Sequence, residues 1–144
     1  MLQPRDRADD HHPLMIGFSI HVFRQFWPSD RSRPATFGAE EGRTLAYWVV
    51  GGFGGLDWVR ELVHTPAVVG LGGNGYPVEY TAQLKVVRDY LLGSIPIGRG
   101  GPVVISDDDG SIAVWPPRRN EVHPLLIAAC PDDEWVHIRA FDQS

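Results

Sequence analysis

A chain of 144 residues with one cysteine, one lysine and two methionines leaves several chemistries without material. Cys130 has no partner for an internal disulfide, so the fold does not depend on an oxidising compartment. It closes an apolar run and precedes Pro131, Asp132, Asp133 and Glu134, whose negative charge would disfavour a thiolate; it reads as a small core residue, not a nucleophile. No apolar run approaches the ~18 residues of a membrane span, and the N-terminus lacks the hydrophobic stretch of a signal peptide, so a cytoplasmic location is expected.

The motifs of common catalytic and metal sites are missing too. The histidines, His11, His12, His21, His64, His123 and His137, show no H-x-x-x-H or H-E-x-x-H spacing, and there is no C-x-x-C. The P-loop pattern is absent, since Lys85 follows Leu84 inside an expected helix, and there is no G-x-S-x-G elbow. The expectation is therefore no metal, no cofactor and no catalytic set, leaning away from an enzyme.

Charge narrows the partners. Thirteen basic against eighteen acidic residues give a net charge of −5, and the one adjacent basic pair is Arg118–Arg119. Phosphate contacts supply most nucleic-acid affinity and need a basic face, so nucleic acid is not expected; an anionic membrane surface fails likewise. An acidic protein suits a basic protein partner through electrostatic steering. Twelve Arg to one Lys, with 16 Gly and 12 Pro, fits a GC-rich bacterial genome.

The 43% hydrophobic and 22% charged fractions are those of a globular chain. Its length fits one domain that buries roughly 68% of its extended surface on folding. Residues 1–13 are polar and aperiodic, and Asp9, Asp10, His11 and His12 among them read as solvated parts of a disordered tail; residues 14–144 form the domain. Residues 14–27 alternate as a strand, with Ile16, Phe18, Ile20 and Val22 on one face and Gly17, Ser19, His21 and Phe23 on the other. Residues 44–50 form a second strand, antiparallel to the first. Leu56, Val59, Leu62 and Val63 give a helix over 56–64 ended by Pro66.

An apolar run at 67–71 leads into a glycine loop at 72–75. A second helix then opens at Tyr80 or Thr81, carries the stripe Leu84, Val87 and Leu91, and stops at Gly93. Residues 102–106 and 111–115 flank Asp107, Asp108, Asp109 and Gly110 as a hairpin. A loop at 116–120 follows, and then strands at 125–130 and 135–141, turning at 131–134. The fold class is α+β, a mainly antiparallel sheet with two helices packed on one face.

The segment from Gly70 to Gly75 satisfies G-x-G-x-x-G, with Gly70, Gly72 and Gly75 placed to approach a pyrophosphate and Asp107 to take ribose hydroxyls. The intervening Tyr76–Pro77 and the long gap to Asp107 count against a dinucleotide site. The three consecutive aspartates before Gly110 lack EF-hand spacing and serve turn chemistry. His137 reads as an outward strand residue.

Acidic turns beside aromatics have the composition of a protein-binding patch. The candidate contacts are Asp107, Asp108, Asp109 and Trp115 at one turn, and Asp132, Asp133, Glu134 and Trp135 at the other. The leading expectation is a non-enzymatic binding module whose partner is another protein with a basic surface. Size and charge match small bacterial inhibitors of the immunity-protein or antitoxin kind. The alternatives are a nucleotide or phosphate-ligand site at Gly70–Gly75, and a phage or assembly component whose edge strands pair in a homo-oligomer.

Overall fold

The computed structural model describes residues 17–27, 31–51, 54–95, 114–115, 118–119 and 121–143. The expected N-terminal tail, the first strand of the 102–115 hairpin and Asp107, Asp108 and Asp109 lie outside them. The elements, in chain order, are β1 (Gly17–Gln25), β2 (Glu41–Gly51), α1 (Asp57–Leu62), β3 (Val68–Gly73), β4 (Val78–Gln83), α2 (Leu84–Leu91), β5 (Val114–Trp115), β6 (Arg118–Arg119), β7 (Glu121–Val122), α3 (Pro124–Ala129) and β8 (Trp135–Asp142). Six strands form one antiparallel sheet in the order β3-β4-β8-β1-β2-β7, and β5 pairs with β6. The fold is α+β and dominated by this sheet.

Strand alternation sorts the side chains by face. Ile20 and Val22 of β1, Ala46, Trp48 and Val50 of β2, Tyr80 and Ala82 of β4, and Val136, Ile138 and Ala140 of β8 enter one apolar cluster. All three helices feed it, α1 through Trp58 and Val59, α2 through Leu84, Val87 and Leu91, and α3 through Ile127. The stripe expected for α2 is fully buried, and Gly93 follows the helix with φ +83°, a left-handed conformation that suits glycine. No helix among the described residues is long and apolar enough to cross a membrane.

Four elements differ from expectation, the shortest being β6, a strand at Arg118–Arg119 paired with β5 where a loop at 116–120 is expected. Residues 125–130 form no strand: Pro124 occupies the first turn of α3, where its missing N–H costs nothing, and Leu and Ala favour helix. A short apolar run reads equally as buried strand or helix, and the proline was the better signal. The helix expected from Tyr80 or Thr81 begins at Leu84, because Val78–Gln83 is a strand buried on both faces. Residues 68–73 form β3, so the glycine segment is part of a β-hairpin.

Substitution of Leu84, fully buried, and Leu125, 61% exposed on α3, separates the two helices' contributions. Leu84→Ala should cost about 2–5 kcal/mol in urea unfolding, and Leu125→Ala under about 0.5 kcal/mol.

Candidate functional site

The face of the sheet away from the helices is polar. Its register aligns Glu79 (β4), Arg139 (β8), His21 (β1), Tyr47 (β2) and Glu121 (β7) in one row across five strands. A second row runs Thr81, His137, Phe23 and Thr44. Directly opposed residues lie on one face and within side-chain reach, so each row is a line of neighbours.

The segment 31–40, without helix or strand, is strapped over one end of both rows. The Ala35 N–H donates to Thr81 Oγ1 at 3.0 Å, the Gly38 N–H to Glu79 Oε1 at 2.8 Å, and Arg139 Nη2 to the Ala39 carbonyl at 2.8 Å. Beneath it Glu79 is 1% exposed and His137 0%. His137 Nε2 donates to Glu79 Oε1 at 2.6 Å, and Arg139 Nε to Glu79 Oε2 at 2.8 Å. His137 stacks on Phe23 with centroids 4.7 Å apart, and the Arg139 guanidinium lies 5.0 Å from the same ring. The outward position expected for His137 is thus corrected: its side of β8 is roofed by the strap.

Burial pushes the His137 imidazole below its ordinary pKa, against the opposing pull of Glu79. Burial alone would raise the Glu79 carboxyl, but hydrogen bonds from Gly38, His137 and Arg139 outweigh it and hold the group below the ordinary carboxyl range. The sealed cluster is a neutral histidine and an ionised glutamate. His137 Nδ1 is buried without a hydrogen-bond partner among the described residues.

Beyond the strap the polar face opens. His21 is half-buried, with Nε2 2.7 Å from Thr44 Oγ1 and Nδ1 3.7 Å from Glu41 Oε1. Arg139 Nη1 donates to Glu41 Oε2 at 2.9 Å, and His123 pairs with Glu121 at 2.8 Å. Burial lowers the His21 pKa too, opposed by Glu41 and Glu121. The expected half-polar outer face of β1 is present here, with His21 engaged in a cluster instead of free in solvent. Among the described residues no group of three or more His, Cys, Asp or Glu side chains is arranged to hold a metal ion.

A second feature lies at the sheet end where β1 finishes and β8 begins. A cleft of about 310 Å³ is lined by Arg24, Arg31, Ser32, Pro131, Asp133 and Glu134. Glu134, expected as a surface contact, is 3% exposed and receives both Arg24 Nε and Nη2, at 2.8 and 2.7 Å. Asp132 is exposed but pairs with Arg88 at 2.6 Å. The backbone of this turn caps α2, with the Leu84 and Lys85 N–H groups donating to the carbonyls of Glu134 and Asp132. Asp133 stays exposed on the cleft and Trp135 is half-buried. So, among the described residues, the turn at 131–134 presents one carboxylate without a partner, where composition implied three. Trp115 is described only as backbone of β5.

Just past Arg24 in the chain, Phe26 and Trp27 project at 40% and 60% exposure, ring edge to ring face with centroids 4.6 Å apart. Sequence reasoning placed them on the first strand, which ends at Gln25. Gly70 and Gly72 lie within β3, and the turn containing Gly75 leads into an antiparallel strand. The dinucleotide arrangement requires a helix N-terminus after the glycines; here α2 begins only after the whole of β4.

Because His137 and His21 have lowered pKa values, the unfolded chain binds protons more readily than the folded one below about pH 6.5. Stability should therefore fall as pH drops from about 7.5 to 5, and fall further as Glu79 protonates below the carboxyl range. In urea titrations His137→Gln should keep only the slope that His21 supplies; a wild type flat across this window would contradict the buried neutral histidine. The chain matches no family model, no curated protein and no solved structure.

Proposed function

We propose that this chain is a protein-binding module of the inhibitor type, which docks its partner on the sheet end bearing Phe26 and Trp27. The carrying observation is the exposed Phe26–Trp27 pair, which follows Arg24, a residue of the charged cleft, by two positions in the chain. Leaving a large aromatic pair in water costs solvation free energy, and tryptophan in particular anchors interfaces, where a polar rim excludes water around a buried ring. Arg24, Arg31, Asp133 and Glu134 supply such a rim, and the cleft gives an incoming side chain a socket.

Charge supports a basic partner only in part. The net charge of −5 favours encounter with a positive surface. At the docking end, however, Asp132 and Glu134 are neutralised within the fold, which leaves Asp133 to meet a cation. Affinity in this reading comes chiefly from the aromatic pair, and charge sets the encounter rate.

The test is affinity retention from a lysate of the native host on three immobilised proteins: wild type, Trp27→Ala and Leu125→Ala. A partner held by the wild type and Leu125→Ala, but weakened about 30-fold or more by Trp27→Ala, would support docking here, since an anchor ring contributes about 2 kcal/mol or more. Identical retention by all three would overturn it.

A further inference from the structure

The open half of the polar face holds an arrangement that the docking reading does not use. The hydroxyl of Thr44 lies 2.7 Å from His21 Nε2, while His21 Nδ1, on the far side of the ring, lies 3.7 Å from Glu41. The order hydroxyl, Nε2, Nδ1, carboxylate is that of a nucleophile, its general base and the acid that orients the base. Glu41 is itself held by Arg139 at 2.9 Å, and Arg139 is pinned by Glu79 and the Ala39 carbonyl.

A β-bulge builds the arrangement. Val22 pairs with Ala46, but Phe23 pairs with Thr44, so the ladder skips Leu45. In regular register Phe23 would oppose Leu45, and Thr44 would fall on the helix side with Val22 and Ala46. The bulge sends Leu45 into the core, fully buried, and turns Thr44 to the face of His21. Bulges of this kind re-aim side chains and are frequent beside active sites.

We propose that Thr44, His21 and Glu41 form a hydroxyl-activating triad that transfers an acyl group from a small carboxylic ester to Thr44 and then to water. Thr44 Oγ1 attacks the ester carbonyl carbon and forms the new C–O bond, while its proton passes to His21 Nε2. The ester C–O bond breaks, and His21 returns the proton to the departing alkoxide, releasing the alcohol. Water, deprotonated by His21, then attacks the acyl-threonine; the Oγ1–C bond breaks, Oγ1 recovers the proton, and the carboxylic acid is released. Each step conserves atoms, needs no redox partner and uses water as the one co-reactant.

The surroundings suit the roles. Burial keeps His21 neutral at pH 7 and able to accept a proton; Glu41 and Glu121 oppose this, and Arg139 and His137 reinforce it. The site lies on the side away from the helices, with His21 and Thr44 half-buried and Glu41 exposed. Glu41 and Glu121 repel anionic acyl groups, so the substrate class is a neutral or cationic ester.

The experiment uses the full chain with p-nitrophenyl acetate, following nitrophenolate release and locating acetyl groups by peptide mass mapping, with circular dichroism to confirm each variant folds. Acetylation of Thr44 is expected, with a rate that rises with pH through a midpoint below the ordinary histidine value. Thr44→Val should abolish that acetylation and Thr44→Ser should retain it. His21→Gln should slow it about 100-fold or more. Leu125→Ala should leave it unchanged, and because the readout is acetylation and not partner retention, this outcome is separate from that of the docking reading. Acetyl groups on His21, Lys85 or the N-terminus but not on Thr44 would overturn the proposal, as would a Thr44 rate indifferent to His21→Gln. Should Thr44→Val fail to fold, the comparison of Thr44→Ser with His21→Gln decides the matter.

Discussion

The constraint on which the polar half of the molecule rests is the burial of one carboxylate. Removing an ionised carboxyl from water costs several kcal/mol, and an unpaired one would protonate or unfold its surroundings. Glu79 stays charged because three donors converge on it, from the Gly38 backbone, His137 and Arg139. Those donors come from the strap and from β8, while Glu79 belongs to β4. Satisfying a single side chain therefore joins a loop and two strands. A one-residue slip of β4 against β8 would turn Glu79 into the apolar cluster beneath the helices, so the ion pair also disfavours the wrong register. Replacement of such a pair by apolar residues is often neutral for stability.

The sealed cluster divides the second face of the sheet. Arg139 is the hinge between the halves, for it reaches Glu79 beneath the strap with Nε and Glu41 outside it with Nη1. Its three donor directions are all engaged, which fixes the Glu41 carboxylate beside His21 at little further entropic cost. Phe23 packs against both His137 and the Arg139 guanidinium, so the aromatic ring sets the floor that both halves share. Rigid support of this kind, from side chains whose own rotamers are locked, is what a half-open site requires if it is to hold a geometry.

The sequence showed the architecture better than the site. Periodicity locates β1, β2, α1, α2 and β8 because each carries a regular apolar stripe, and Gly93 marks a real end, whereas α1 stops at Leu62, four residues short of Pro66. It failed where stripe and burial disagree. Val78–Gln83 contains Glu79, Tyr80 and Thr81, all buried, and a buried glutamate looks in sequence like a solvent position. The partners that make its burial tolerable, Gly38, His137 and Arg139, lie 41, 58 and 60 residues away. Local spacing holds no trace of them. The acidic turn failed for the related reason that composition counts charges without pairing them: Glu134 finds Arg24 across 110 residues. One signal for α3 is the proline at its start, which stands before an apolar run that by itself reads as a strand.

Irregularity in the pairing of β1 with β2, where the extra residues belong to β2, adjoins both proposed sites. A strand without bulges alternates faithfully, sending every second residue to the helices and the rest to the strap. Two register shifts interrupt β1 against β2, one between Val22 and Phe23 and one between Phe23 and Gln25. The first brings Thr44 to the side of His21. After the second the strand ends, and Phe26 and Trp27 leave the ladder at a bend where neither face of the sheet can cover them. On the helix side Trp48, Trp58 and Tyr90 pack ring against ring. Sheets that serve only as scaffold gain nothing from bulges, which forfeit ladder hydrogen bonds. Both shifts fall where β2 runs beside the second half of β1, so the two proposed surfaces adjoin the same irregular stretch of the sheet.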